Sequence, residues 1–152
     1  MARIKLSLPS VLPFNCTIPI RITDLNYGAH LGNDKVLSLI HEARVQFFAH
    51  FGYTEIDAEG TSFIMGDCAI VYMAEGFYGQ TLRCEVGAGD FTRVSFDLFY
   101  RFVVVETGAI LAEAKTGLVC FDYGTRKVNQ VPDALKARLL GASGEENSSL
   151  RP

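Results

Sequence analysis

Residues 24–52 read DLNYGAHLGNDKVLSLIHEARVQFFAHFG, a short polar and glycine-rich turn that runs straight into the most apolar helix-like stretch of the chain. Val36, Ile40, Ala43, Phe47 and Phe51 recur at steps of three and four, which is one face of a 3.6-residue period. Leu37, Leu39, Val45 and Phe48 widen that face until most of the circumference is apolar, so the helix must be covered on most sides. Asn33 suits the N-cap, Asp34 suits the positive end of the helix dipole, and Gly52 is the expected stop. Roughly 19 residues at about 1.5 Å each give a rod of about 28 Å, enough to span a small domain.

Outward from this helix the chain reads as strand. Before it, Phe14 to Asp24 alternates Ile18, Ile20 and Ile22 with Thr17, Pro19, Arg21 and Thr23, and Pro19 argues for an edge position because proline donates to no ladder. Ile4, Leu6 and Leu8 alternate in a short leading piece, an edge strand or an arm across a partner. After the helix, 53–62 is polar connection with room for one irregular helical turn. Strand-like runs follow at Phe63 to Met73, Gln80 to Gly89, Arg93 to Val105 and Ala109 to Asp122. Gly76 and Gly79 suggest a bulge or turn between the first two, and Thr107 and Gly108 a tight hairpin between the last two. ALKARLL after Pro132 predicts a short helix with proline at or near its first position. One helix followed by four strands is an α+β order in a single domain, residues 1–140, with a polar tail at 141–152.

Composition narrows the function classes. The chain has 152 residues, 49% of them hydrophobic, which is enough for one real core. Its 14 basic and 17 acidic residues are scattered, without the basic stripe that nucleic-acid binding needs. Pro9 and Pro13 interrupt any signal-peptide core, and no apolar run approaches the roughly 18 residues of a membrane span, so a soluble cytoplasmic protein is expected. Cys16, Cys68, Cys84 and Cys120 show no metal spacing and read as free thiols. His30, His41 and His50 are not spaced as ligands either, so no metal site is expected.

Chemistry concentrates at the entrance to the long helix. Asp24, Asn26, Tyr27 and His30 crowd into seven residues, with Gly28 between them and Gly32 just beyond, beside a helix start whose free N–H groups suit an anion or a developing oxyanion. Asp, Asn and Gly are also what any strand-to-helix turn contains. Glu42 is a carboxylate inside the most apolar helix, and His41 and Arg44 beside it also allow a solvated position. Asp67 is a carboxylate in a strongly apolar strand, either solvent-facing or presented to a site from the sheet.

These residues resemble the hotdog-fold thioesterases of the 4-hydroxybenzoyl-CoA thioesterase branch, and the plant acyl-carrier-protein thioesterases over the same stretch. The shared pattern is a strand ending in D-x-[DN], a G-x-H or N-x-H, a following asparagine and E-A-R in the helix; here it is Asp24, Asn26, Gly28, His30, Asn33 and Glu42-Ala43-Arg44. The resemblance implies a five-stranded antiparallel sheet wrapped around the helix, and homodimers joined sheet edge to sheet edge that assemble into homotetramers. It also implies an active site at the dimer interface, with no cofactor beyond the coenzyme A of the substrate. The bacterial members carry their catalytic aspartate where this chain has Asn26, and an amide is neither base nor nucleophile near neutral pH. Hydrolysis therefore needs another carboxylate: Glu42 first, as the plant enzymes use a helix glutamate, then Asp24, then Asp67. In this scheme N–H groups near Gly28 to His30 polarise the thioester carbonyl, His30 and Asn26 orient water, and Tyr27, Gly28, Asn33 and Asp67 contact substrate. A non-catalytic acyl-thioester binder and a hotdog dehydratase are the alternatives.

Overall fold

The structure, a computed structural model, describes residues 2–141. The tail expected at 141–152 lies outside the described residues apart from Gly141. The chain runs β1 (Phe14–Pro19), α1 (Asn33–His50), β2 (Ser62–Tyr72), β3 (Thr81–Gly89), β4 (Ser95–Val104), β5 (Ile110–Asp122), β6 (Lys127–Val128) and α2 (Asp133–Gly141). The strands form one antiparallel sheet in the order β1-β3-β4-β5-β2, with the two-residue β6 added to β5. Four of its strands are where the sequence put them. The order is not sequential, because β2 pairs with β5 at the far edge while β1 pairs with β3.

Alternation sorts the sheet into two faces. Phe96, Leu98, Tyr100 and Phe102 of β4, with Ala112, Ala114 and Leu118 of β5, turn inward and are almost fully buried. Against them α1 packs Val36, Leu39, Ile40, Ala43, Phe47 and Phe48. Phe48 stacks on Phe63 of β2 at 4.9 Å, and Phe47 meets Phe14 of β1 edge-on at 5.7 Å, so the helix is held from both sheet edges. Its other side stays open: Leu37 is 42% and Val45 45% exposed. A single sheet cannot enclose a whole helix, so the expected coverage on most sides is only partly met.

The helix ends differ in how they are made. At the C-terminus Gly52 adopts φ +80°, its N–H donates to Ala49 O and that of Tyr53 to Phe48 O, a Schellman arrangement. At the N-terminus Asn33 is the first helical residue and Gly32 holds the cap position without a side-chain bond. This corrects the expectation that Asn33 caps. The segment 53–62 holds no helical turn; Glu55 within it pairs with buried Arg44 and with His41 Nε2 at 3.1 Å. The helix α2 begins directly after Pro132 and seats Leu135 and Leu139 in the core.

The leading arm is not a strand. It crosses the outer face of the chain's own sheet: Leu12 and Pro13 press on the Cα of Gly87 in β3, and Arg3 donates to Tyr72 O at the β2 edge, 3.4 Å away. Phe99 and Val103 face outward by alternation yet are each only 6% exposed.

Candidate active site at the start of the central helix

The strand expected through Asp24 ends at Pro19, and Ile22–Asp24 forms a 3-10 turn. The cause is local. The Asp24 carboxylate accepts from Arg21 N at 2.8 Å, Arg21 Nε at 3.2 Å and Arg21 Nη2 at 3.2 Å, which bends the backbone away from extension. Asp24 is only 4% exposed, and although burial alone would raise its pKa, the bonds and charge from Arg21 hold it below the usual carboxylate value. An acid so engaged is a structural anion, not a free base.

Beyond it the chain closes a small loop. Leu25 and Leu31 pair in a bridge, Asn26 N donates to His30 O at 2.8 Å and Gly32 N to Asp24 O at 3.0 Å. The Asn26 amide oxygen sits inside, accepting from Gly28 N at 2.9 Å and His30 N at 3.4 Å, while Ala29 N donates to Asn26 O at 3.1 Å. The amides of Gly28 to His30, expected to polarise a carbonyl, are therefore occupied by Asn26 itself. A Cβ added to Gly28 would lie 3.2 Å from Asn26 Oδ1 and 3.3 Å from His30 Nε2, so a side chain there would press on both by a few tenths of an ångström. Tyr27 is fully exposed at the tip.

The unsatisfied donors are one step further on. Among the described residues the amides of Asn33 and Asp34, the first two of α1, have no acceptor. Asn33 borders a cavity of about 300 Å³ together with His30, Leu31, Val36, Tyr72 and the segment Met73–Gly76. The Tyr72 hydroxyl donates to Asn33 O at 3.0 Å, tying the end of β2 to the first helical turn. Burial, then the charges of Cys68 and Asp34, push the Tyr72 phenol up, which keeps it a donor.

One carboxylate reaches this cavity, and sequence reasoning missed it. Glu75 lies on the connection that crosses from β2 to β3, and its Oε1 is 3.9 Å from His30 Nε2. His30 Nδ1 lies 3.3 Å from Leu31 O and 3.5 Å from the Asn26 amide nitrogen; in the tautomer that donates to Leu31 O, the shorter contact, Nε2 keeps its lone pair. The crossing is pinned by Leu31 N donating to Gly76 O at 2.8 Å. The A-E-G-F-Y-G stretch signalled only a turn; that it passes over the helix start depends on the non-sequential strand order, which no local pattern carries.

The other expected acids lie elsewhere. Glu42 is exposed, accepts from Gln46 Nε2 at 3.0 Å and borders a separate cavity of about 350 Å³ with Thr17, Arg21 and Ser38. Its apolar setting is not met, because position 42 falls on the open side of α1. Asp67 points outward and pairs with Lys115 Nζ at 2.8 Å. A bulge between Met65 and Asp67, at Gly66, reverses the alternation of β2, so Asp67 lies on the face opposite α1. Asn26, Gly28, His30 and Asn33 are thus brought together, while Asp24 is engaged beneath them and Tyr27, Glu42 and Asp67 are apart. No cluster of ligands fit for a metal ion occurs among the described residues.

An antiparallel sheet whose five main strands curl about one long helix, with the two-residue β6 added beside β5, a short helix appended and a cavity at the long helix's start, is the hotdog architecture of thioesterases. The family model of the thioesterase-like superfamily matches residues 20–139, and the chain belongs to that family. Among solved structures, a 1,4-dihydroxy-2-naphthoyl-CoA thioesterase from Synechocystis is similar at 18% identity, over 84% of this chain and 95% of that one, with a TM-score of 0.75. A thioesterase from Thermus thermophilus complexed with coenzyme A and Zn gives 22% identity, 95% and 100% coverage and a TM-score of 0.76. The DHNA-CoA thioesterase of Staphylococcus aureus gives 17%, 91% and 95%, and 0.74. Curated protein sequences yield no match.

Proposed function

We propose that this protein hydrolyses acyl thioesters carried on coenzyme A or acyl-carrier protein to free acid and thiol, with His30 and Glu75 activating water. The observation that carries this is one cavity bordered by Asn33, the first residue of a helix whose first two amides have no acceptor among the described residues, and by a histidine and a carboxylate 3.9 Å apart. The thioester carbonyl oxygen docks on the N–H groups of Asn33 and Asp34, where the dipole favours negative charge. A water held by His30 Nε2 gives its proton to the imidazole as its oxygen bonds to the carbonyl carbon, and Glu75 is the anion facing the imidazolium that forms. The tetrahedral intermediate then collapses, the C–S bond breaks and the leaving thiolate takes the proton from His30. Asn26 holds the turn that aims His30 and transfers no proton. The four free thiols suit a reducing cytoplasm, and among the described residues no helix is long and apolar enough to cross a membrane. The working unit is a homodimer joined through the unpaired edge of β2.

The test is a panel of short, long and aromatic acyl-CoAs with released thiol followed by a chromogenic reagent. Turnover is expected, with His30→Ala and Glu75→Gln each lowering kcat by about 100-fold and Glu42→Gln leaving it near the parent value. Saturable binding without turnover of any thioester would overturn the enzymatic assignment. Full rate in both the His30 and Glu75 variants would remove that pair from the mechanism.

A further inference from the structure

A second cavity, of about 510 Å³, opens where the first one ends. The leading arm roofs it with Arg3, Ile4, Lys5 and Leu6, and the outer face of the sheet floors it with Val71, Met73 and Glu113. Met73 borders both cavities. Arg3 Nη2 reaches Tyr72 O, and Tyr72 is itself a wall of the first cavity. The groove therefore continues the candidate active site around the end of β2 and under the arm.

Its charges are unevenly committed. Glu113 is bound to Arg101 Nε at 2.9 Å. Arg3 and Lys5 pair with no carboxylate among the described residues, although the chain as a whole carries net charge −3. Two cations with no carboxylate partner among the described residues, above a floor of Val71, Met73 and the engaged Glu113, suit a ligand that is part extended and weakly polar, part multiply anionic. An acyl thioester on coenzyme A has that shape: a long pantetheine arm leads from the sulfur to a diphosphate and a phosphorylated ribose.

We propose that the groove beneath the arm is the carrier subsite, with Arg3 and Lys5 recognising the phosphates of coenzyme A while the thioester lies at His30. This rests on the thioesterase assignment and narrows it from two carriers to coenzyme A. The two cations bind and position the carrier and take no part in proton transfer. Salt should weaken the interaction, because exposed cations bind phosphate through a screened charge attraction.

Calorimetric titration with coenzyme A and with pantetheine decides the matter, on the parent protein and on an Arg3→Ala/Lys5→Ala double variant. The parent is expected to bind coenzyme A saturably, the double variant about tenfold more weakly, and both to bind pantetheine alike. An Arg3→Lys/Lys5→Arg exchange should recover most of the coenzyme A affinity. Equal coenzyme A affinity in parent and double variant, no saturable binding by the parent, or an equal loss for pantetheine would each overturn the subsite. Hydrolysis is read separately: if the parent cleaves no thioester the enzymatic assignment falls, and the titration still decides the groove.

Discussion

Asn26 uses one amide oxygen to satisfy two backbone donors, so the turn that carries His30 is closed by its own side chain. Asp24, just before it, holds one backbone donor, Arg21 N, together with the Arg21 guanidinium, and does so with a full charge. Its pKa is lowered in the folded chain, so its contribution to stability is complete above the ordinary carboxylate value of about 4 and is lost as pH falls through the lower folded value. Asp24→Asn is expected to destabilise by about 1–2 kcal/mol at neutral pH and to flatten the acid limb of the unfolding curve, measured by urea denaturation between neutral pH and pH 3. Stability unchanged in the variant would show that the Arg21 contact contributes nothing. The crowding of Asp24, Asn26, Gly28, His30 and Asn33 was legible because local composition marks a loaded turn. Which side chain is engaged and which is free was not, since that depends on hydrogen bonds a few ångströms long.

At the level of elements, two glycines decide what reaches the cavity. A Cβ at Gly76 would lie 2.7 Å from Leu111 Cδ1 and 2.8 Å from Ile20 Cδ1, so the crossing segment lies flat on the core only because position 76 has no side chain. Gly76→Ala is expected to cost about 1–3 kcal/mol in thermal or urea unfolding and to lower kcat by moving Glu75 off His30. Unchanged stability would mean that Leu111 and Ile20 give way freely. Gly66 acts on β2 by inserting a bulge, which sends Asp67 outward to Lys115. Simple alternation along 62–72 was readable; the phase change within it was not, because it requires the register against β5. The helix α1 was readable nearly to its bounds, as was the Gly52 stop, because period and terminator are both local. Between the two positions open to Glu42, buried or solvated, the sequence did not choose, because a helix apolar over most of its girth does not reveal which sector the sheet leaves open.

Across the whole molecule the least settled surface is the outer edge of β2, eleven residues long, with Met65, Tyr72 and the neighbouring Met73 exposed along it. A long strand with one free side is a template for another strand. Sedimentation is expected to give the mass of two chains, and amide hydrogen exchange along β2 to slow as protein concentration rises; a monomer with concentration-independent exchange would rule out this edge as the junction. The class of fold was legible from the order of segments, but the seating of β2 beside β5 was not, because pairing between distant segments leaves no local mark. That seating also shapes how the chain must self-assemble. The meander β3-β4-β5 closes from near neighbours, whereas both rims, β1 onto β3 and β2 onto β5, join segments far apart along the chain. Such high contact order places the search for the native pairing among the slower regimes of folding, and the cleft over the helix start, walled by Tyr72–Gly76 and Leu111, exists only with β2 seated on β5.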